Sequence, residues 1–273
     1  MKIHLLRWCS FVGLITAALL FIEGCSTVPV TGRRELNLVS SGQEVQLGLS
    51  SFDQLKTNTP ISHDPMITEM VQRVGKRIAG VASKDLPDAQ WEFVVFDSKE
   101  ANAFCLPGGK VGVYTGILPI TKDDAGLATV LGHEVGHAVA HHGASRMSQA
   151  MLSQGLGQAA GSWVGSSKYA QYQDTFMSLY GVGSKVVVEL PYSREQESEA
   201  DHIGVVYMAR AGYDPKEAVA FWERFAAYNQ QQGGSSSSFL AKFLRTHPVD
   251  SVRIADLKKW LPEAQAEFSR SRR

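Results

Sequence analysis

The sequence is poor in cysteine, has no excess of charge of either sign, and contains no apolar run long enough to cross a membrane. Its three cysteines in 273 residues are too few for a disulfide-rich fold. The balance of 27 basic against 27 acidic residues argues against a nucleic-acid-binding protein. The longest apolar stretch, from Phe11 to Ile22, is too short for a membrane-spanning helix. What the chain does have is 44% hydrophobic residues, enough for one sizeable core.

The N-terminal end has the layout of an export signal. Two basic residues precede the apolar stretch and a glycine–cysteine pair follows it, so we predict a signal peptide over residues 1–24. The junction resembles a bacterial lipobox, in which the cysteine becomes the lipidated first residue of the mature protein. We therefore predict lipidation at Cys25, with an uncleaved signal anchor as the alternative. Loss of Cys9 and lipidation of Cys25 would leave only Cys105, which excludes an intramolecular disulfide.

The residue after the predicted lipidation site bears on localisation. Ser26, without an aspartate in its place, resembles the default signal for outer-membrane sorting in a host with two membranes. We therefore expect the protein in the cell envelope, anchored by lipid at the periplasmic face of the outer membrane.

The rest of the chain mixes helices and strands without regular alternation. We predict a lipidated tether over residues 25–40 and one α+β domain over residues 41–273. Apolar residues at helical spacing follow Asp64–Pro65, an N-cap with proline at the first helical position. A strand begins at Trp91, and two more strands flank the turn at Pro107–Gly109.

The stretch VLGHEVGHAVAHHG, from Val130 to Gly143, places four histidines and one acid in a small, apolar run. His133 and His137 are one helical turn apart, so their rings lie side by side, which suits two nitrogen ligands on one zinc ion. Glu134, rotated by about 100°, can lie beside the metal and accept a proton from the attacking water. We expect Thr121 to cap this helix. The alternative is a helix whose histidines are satisfied by hydrogen bonds within the core.

Two histidines leave a zinc ion short of one protein ligand. A metzincin would place a third histidine ten residues after the first, but that position is Gly143. In YSREQESEADHIG, Glu197 lies on a small or apolar helix face that can approach another helix closely. We therefore predict Glu197 as the third ligand and Asp201, one turn later, as the hydrogen-bond partner of a ligating imidazole. We interpret Glu195 and Glu199 as solvated charges; the alternative is that all three glutamates are solvated.

The motifs together resemble a known family. Three segments in order, HEVGH, SREQESEAD and RTHPVDSVRI, look like the HtpX and CAAX-prenyl-protease family of gluzincin metallopeptidases. Two further segments, CSTVPVTGRRELNLVS and NAFCLPGGKVGVYTGIL, are similar to its branch of bacterial periplasmic lipoproteins, which is related to mitochondrial Oma-type proteases. The resemblance covers nearly the whole chain after the signal peptide.

The resemblance implies a zincin-like fold, mostly helical, with a small sheet whose edge strand precedes the metal-binding helix. It implies one Zn²⁺ per chain and a set of residues around it: His133, His137 and Glu197 as ligands, Glu134 as general base, and Asp201 behind a ligand. It also implies a catalytic His247 near the metal, in contact with the attacking water or the developing oxyanion. In zincins the edge strand pairs with extended substrate. Gly109–Gly116 is the candidate, with an ordinary inner strand as the alternative.

Some residues near these motifs have less specific interpretations. We expect His141 and His142 to interact with carbonyls at the end of the metal-binding helix, with a contact between His141 and a ligand as the alternative. Arg253 is as consistent with a surface residue as with a carboxylate-pairing one. Residues 144–190, rich in small and polar residues, favour helices that pack on the core, cover the cleft, or dock on a partner or membrane.

The function predicted on these grounds is that of a zinc-dependent endopeptidase. Its partners would be unfolded or misassembled polypeptides of the cell envelope, handled in protein quality control, and it would not bind nucleic acid. One alternative is a zinc-binding periplasmic chaperone or assembly factor with latent or no protease activity. A structural site has no need of a base such as Glu134, which argues against that alternative. A third possibility is a metal-free envelope scaffold.

Overall fold

Helices make up most of the described residues and surround one small three-stranded sheet, which confirms the mostly helical α+β prediction. The structure, a computed structural model, describes residues 25–153, 176–177, 180, 192–231, 241–248 and 251–273. The helices are α1 (Ser41–Asn58), α2 (Pro65–Ala82), α3 (Leu118–Thr121), α4 (Asp124–Val139), α5 (His142–Ser153), α6 (Arg194–Arg210), α7 (Lys216–Gln231), α8 (Ala241–Thr246) and α9 (Ser251–Ser271). The strands are β1 (Cys25–Thr27), β2 (Arg34–Leu36), β3 (Glu92–Phe96), β4 (Ala103–Leu106) and β5 (Lys110–Tyr114). Among the described helices, none combines the length and apolar character needed to cross a bilayer.

The first described residues form a hairpin on the surface of the domain. β1 and β2 pair antiparallel, with Cys25 opposite Leu36, and Val28 in the connecting turn is buried in the main core. This part of the predicted tether is therefore folded against the domain. The predicted signal peptide, residues 1–24, lies outside the described residues, as does most of the 144–190 segment.

Side-chain caps fix the starts of three helices, among them the predicted cap at Asp64. Ser40 begins α1 with a capping box, and Ser193 begins α6 with another. Asp64 accepts hydrogen bonds from the first backbone N–H groups of α2, whose first residue is proline. These local rules therefore determine where the helix that carries Glu197 starts.

The cap predicted for the metal-binding helix is wrong. Asp123, not Thr121, caps α4, because its carboxylate accepts hydrogen bonds from the N–H groups of Ala125 and Gly126. Thr121 instead ends the one-turn helix α3. Lys122 then adopts a φ of 66°, which separates α3 from α4 and shifts the helix start by two residues.

The sheet has the strand order β3–β5–β4, so β5 is its middle strand. β4 pairs with β5 antiparallel across the predicted turn, and β3 pairs with it in parallel, with Val94 opposite Gly112. The prediction that Gly109–Gly116 forms an edge strand is therefore wrong, and the inner-strand alternative is right. Parallel pairing joins segments that are not linked by a hairpin, so local patterning shows only one of the two partners. The edge strand on the antiparallel side is β4.

The sheet separates two apolar cores because its side chains alternate between its faces. Val95, Cys105 and Val111 face the main core, which also contains much of α2, α4, α6 and α7. Phe96 and Phe104 face a second core with Phe52 of α1, where the ring centroids lie 6.1–6.3 Å apart. The metal-binding helix α4 lies in the main core, which explains why residues 126–139 are all buried.

Close packing between α4 and α6 brings the predicted ligands together. A Cβ atom at Gly132 would lie 2.8 Å from the carbonyl oxygen of Gly204, and one at Gly136 would lie 2.7 Å from that of Ala200. The two backbones therefore approach more closely than larger side chains would allow. The small helix face predicted around Glu197 is the face that makes this contact.

Gly204→Ala is expected to lower the free energy of unfolding by about 1–3 kcal/mol. The new Cβ atom would lie 2.8 Å from the backbone nitrogen of His133 and from the carbonyl carbon of Gly132. Gly80→Ala is the matched control. Gly80 also lies within a helix, but no atom of the described residues lies within 4 Å of the position that its new methyl group would take. That variant should gain about 0.5–1 kcal/mol. Urea unfolding of both variants measures the difference, and effects of the same sign would contradict the close contact.

Candidate metal centre

Four buried side chains converge where α4, α6 and the end of α8 meet. His133, His137, Glu197 and His247 are each at most 2% exposed, and their ligand atoms all lie within 4.8 Å of one another. Nε2 of His137 is 3.1 Å from Nε2 of His133 and 3.3 Å from Oε1 of Glu197. Nδ1 of His247 is 3.2 Å from Nε2 of His133 and 3.1 Å from Oε1 of Glu197. The structure thus brings the three predicted ligands and His247 to one point.

These separations fit ligands around one zinc ion. Zinc bonds of about 2.0–2.2 Å to nitrogen and oxygen, arranged as a tetrahedron, place neighbouring ligand atoms about 3.3–3.6 Å apart. The observed separations of 3.1–3.3 Å are close to that range. Imidazole and carboxylate are also donors that zinc accepts readily. The residues present therefore fit the metal that the sequence predicts.

Asp201 and Arg253 support the ligands from outside the cluster. Oδ1 of Asp201 is 2.8 Å from Nδ1 of His133, on the ring side away from the other ligands. Arg253, which is buried, donates to both oxygens of Asp201 at 2.7 and 2.9 Å. Its Nη1 also lies 2.6 Å from Oε2 of Glu197. The position predicted for Asp201 agrees with this geometry, and Arg253 is the carboxylate-pairing residue of the two possibilities considered for it.

The carboxylates of Glu197 and Asp201 favour a positive charge at the point where the ligand atoms converge. Burial would raise the pKa of Glu197, but Arg253 and His247 hold that pKa well below its ordinary value. Burial would likewise lower the pKa of His133, yet Asp201 and Glu197 raise it to about 9. Both carboxylates therefore stay ionised and attract a cation to the imidazoles.

Glu134 lies beside the ligands without being one of them. It is only 4% exposed, and burial raises its pKa above the ordinary value for glutamate. Among the described residues, Oε1 of Glu134 has no hydrogen-bond partner; Nε2 of His247 is 3.7 Å away. A buried carboxylate oxygen with open acceptor capacity next to the ligands is suited to hold and deprotonate a water molecule.

His247 lies nearer to the ligands than its predicted role requires. Its Nδ1 stands at the fourth corner of the cluster, while its Nε2 faces Glu134. Phe243 stacks on the ring, with centroids 4.6 Å apart, and so helps to fix its orientation. The structure therefore places His247 both beside the metal position and beside the candidate base.

The interpretation of the two later histidines is wrong for both. α4 ends at Val139, and His141 has a φ of 51°, so His142 starts a new helix instead of extending the old one. Nδ1 of His141 lies 2.8 Å from Oε2 of Glu44, on α1. Nδ1 of His142 lies 2.8 Å from Nδ1 of His137. It is therefore His142, not His141, that contacts a predicted ligand, because the backbone turns between the two helices.

The solvated face predicted for α6 is correct for one glutamate and wrong for the other. Glu195 is exposed, as predicted. Glu199 is only 8% exposed and accepts hydrogen bonds from His142 and from Arg33 of the N-terminal hairpin. Burial would raise the pKa of Glu199, but its hydrogen bonds with His142, Thr31 and Arg33 lower it to about 2. The hairpin and α5 cover this side of the helix, which periodicity within α6 does not reveal.

Tyr192 is a further residue of the site that the sequence interpretation missed. Its ring stacks on that of His137, with centroids 4.0 Å apart and an interplanar angle of 27°. The guanidinium of Arg146 lies on the tyrosine ring at 4.2 Å from the centroid. The available signal was an aromatic residue directly before Ser193, the N-cap of the helix that carries Glu197.

Several known proteins align with most of the length of this chain. It is 36% identical over 245 residues to the mitochondrial metalloendopeptidase OMA1 of Schizosaccharomyces pombe, covering 88% of this chain and 67% of that protein. It is 33% identical over 287 residues to the Saccharomyces cerevisiae protein of the same name, covering 93% and 76%. The beta-barrel assembly-enhancing protease of Escherichia coli K12 is 27% identical over 245 residues, covering 87% of this chain and 48% of that protein.

A family model described as peptidase family M48 matches residues 65–261. The matched region contains the whole cluster built from α4, α6 and the end of α8, together with Asp201 and Arg253. The catalysed reaction of this family, peptide hydrolysis with zinc, agrees with the donor set and with the base beside it. The chain therefore belongs to peptidase family M48 and is a zinc metalloendopeptidase.

Proposed function

We propose that the protein cleaves unfolded or misassembled proteins of the cell envelope as part of protein quality control. The observation that carries the chemistry is the buried cluster of His133, His137 and Glu197, with Glu134 beside it. The similar protein from E. coli is named a beta-barrel assembly-enhancing protease, and the similar fungal proteins are named mitochondrial metalloendopeptidases. The first of these names supports a protease with a part in protein assembly, and the predicted export signal supports the bacterial envelope.

The residues of the site have separate parts in this proposal. His133, His137 and Glu197 would hold the zinc ion, which would supply Lewis-acid chemistry toward the scissile carbonyl and the attacking water. Glu134 accepts the proton of the attacking water at its open carboxylate oxygen and passes it to the leaving amine. His247, whose Nε2 faces Glu134, donates a hydrogen bond to the oxyanion. Asp201 holds His133 in the tautomer that leaves Nε2 free for the metal.

Substrate binding is proposed for the outer edge of β4. β5 already pairs on both sides, whereas no second strand pairs with β4 among the described residues. β4 also packs against the metal-binding helix α4. All four residues of β4 are buried, so an extended peptide could add to this edge only after the edge is exposed. It would then be held by backbone hydrogen bonds, which select little by side chain. That property suits an enzyme that acts on many unfolded chains.

Attachment to the outer membrane through Cys25 is part of the same proposal. β1 begins at Cys25, and the hairpin that it starts packs on the domain. A lipid on this residue would therefore hold the catalytic domain directly at the membrane surface, without a long spacer. That location would restrict substrates to chains that come close to the bilayer.

A zinc-binding chaperone with latent protease activity is the second candidate. The observation that favours it is Nδ1 of His247 at the fourth corner of the cluster. A catalytic zinc site keeps one position open, whereas four protein ligands close it. In this case the protein would hold zinc without cleaving polypeptides.

Removal and return of zinc test the proposal. The chelator-treated protein should lose cleavage of a reduced, unfolded polypeptide substrate and regain it when one zinc ion per chain is added. His137→Asn should fail to recover at that zinc concentration, because it lacks a ligand, whereas His202→Asn should recover. His202 lies on α6 outside the cluster and pairs with Glu263. Stoichiometric zinc without cleavage would favour the second candidate, and absence of zinc binding would contradict the site.

A further inference from the structure

A continuous chain of hydrogen bonds leads from a predicted zinc ligand to the N-terminal hairpin. Nδ1 of His137, on the ring side away from the cluster, is 2.8 Å from Nδ1 of His142. Nε2 of His142 is 2.9 Å from Oε2 of Glu199. Arg33 donates from Nε to the same carboxylate at 2.7 Å, and the hydroxyl of Thr31 donates to its other oxygen.

One arrangement of protons satisfies every bond in this chain. An imidazole that binds a metal through Nε2 carries its proton on Nδ1, so His137 donates to Nδ1 of His142. His142 then carries its own proton on Nε2 and donates to Glu199. The glutamate stays ionised because Arg33 and Thr31 also donate to it. Binding of a cation at Nε2 of His137 and charge on Glu199 therefore favour the same tautomers.

The two histidine ligands of α4 are supported in different ways. His133 contacts the carboxylate of Asp201 directly. Among the described residues, no carboxylate contacts Nδ1 of His137, which is linked to Glu199 through His142. An acidic partner behind a ligating imidazole fixes the ring orientation and raises its basicity toward the metal. His142 is fully buried, so it transmits the position of Glu199 without competition from solvent.

We propose that His142 and Glu199 are positioning residues that hold His137 in its metal-binding orientation, and that the hairpin carrying Arg33 completes this support. The inference deepens the proposed function, because it rests on the same zinc site, but it does not depend on peptidase activity. Arg33 and Thr31 belong to the hairpin that starts at Cys25, so the placement of the N-terminus on the domain affects a zinc ligand.

Zinc affinity of the full-length protein, measured by competition with a fluorescent zinc chelator, tests the proposal. Glu199→Gln should weaken zinc binding about 10–100-fold, whereas Glu195→Gln, an exposed glutamate one turn earlier on α6, should leave it unchanged. Arg33→Ala should weaken zinc binding about twofold to fivefold; the effect is smaller than that of Glu199→Gln because the Arg33 side chain is 38% exposed. Arg34→Ala, at the neighbouring exposed position of the hairpin, is its control.

A role in packing alone has a different signature. If Glu199 acts in packing alone, the zinc-free Glu199→Gln protein would unfold at a lower temperature, but its dissociation constant for zinc would equal that of Glu195→Gln. That result would overturn the proposal. If Glu199→Gln does not fold, the comparison of Arg33→Ala with Arg34→Ala tests the proposal. Equal zinc affinities of these two variants would contradict a role for the hydrogen bonds that link the hairpin to His137. Failure of the wild type to bind zinc would instead contradict the zinc site. Zinc binding without cleavage of an unfolded substrate would reject only the substrates proposed above.

Discussion

Replacing Glu134 by glutamine is expected to lower kcat about 10²–10⁴-fold while the protein keeps its zinc. Glutamine has nearly the same size as glutamate, but its amide cannot accept the proton of the attacking water. Glu134 contributes no atom to the group of four side chains that could hold the ion, so zinc binding should persist. Steady-state cleavage of an unfolded fluorescent polypeptide measures kcat, and elemental analysis measures zinc.

Glu195→Gln is the control for this experiment because Glu195 is an exposed glutamate far from the ligand face of α6. It should cleave at the wild-type rate. A Glu134→Gln protein with full zinc and a rate within tenfold of wild type would contradict the role of general base. Loss of zinc from that variant would place Glu134 among the ligands instead.

Arg253→Ala is expected to destabilise the protein by about 3–5 kcal/mol. The guanidinium is the buried counter-charge for Glu197 and Asp201, which are each at most 2% exposed. Its removal leaves two carboxylates in the protein interior without their cationic partner. It also removes a cation–π contact, since the guanidinium carbon lies 4.2 Å from the ring centroid of Trp222. The zinc-free protein should unfold about 6–20 °C lower than wild type.

Arg270→Ala provides the comparison for Arg253→Ala. Arg270 lies on the same helix and pairs with Glu267, but its side chain is 65% exposed. A surface pair of this kind contributes at most about 1 kcal/mol. Calorimetry should therefore show a much larger fall in unfolding temperature for Arg253→Ala than for Arg270→Ala. A similar, small effect of both substitutions would show that Glu197 and Asp201 do not depend on Arg253.

Much of the site follows from periodicity along single helices. The spacing of His133 and His137 places both rings on one face of α4, and the start of α6 at Ser193 orients Glu197 toward that face. The small residues around Glu197 predict close helix packing, which the contact between Gly132 and Gly204 confirms. These inferences hold because each depends on one helix of regular pitch and on a cap encoded within a few residues.

The errors occur where that regularity ends. The backbone turns between Val139 and His142, so the positions extrapolated for His141 and His142 from the pitch of α4 are wrong. The pattern of α6 alone predicts a solvated Glu199, but the hairpin from a distant part of the chain covers it. The middle position of β5 depends on parallel pairing with β3, which has no signature in either strand by itself.

The chemistry of this protein can be deduced from local sequence patterns: two imidazoles one turn apart, a base beside them and a third ligand on a second helix. These features depend on local spacing, which helical geometry converts directly into position. The groups that support that chemistry depend on tertiary packing. Arg253 reaches Glu197 from another helix, α9. His142 contacts His137 because the backbone turns after α4, and Glu199 is buried where the N-terminal hairpin packs against it. Contacts of this kind depend on how whole helices and the hairpin pack, and no pattern within one element contains that information.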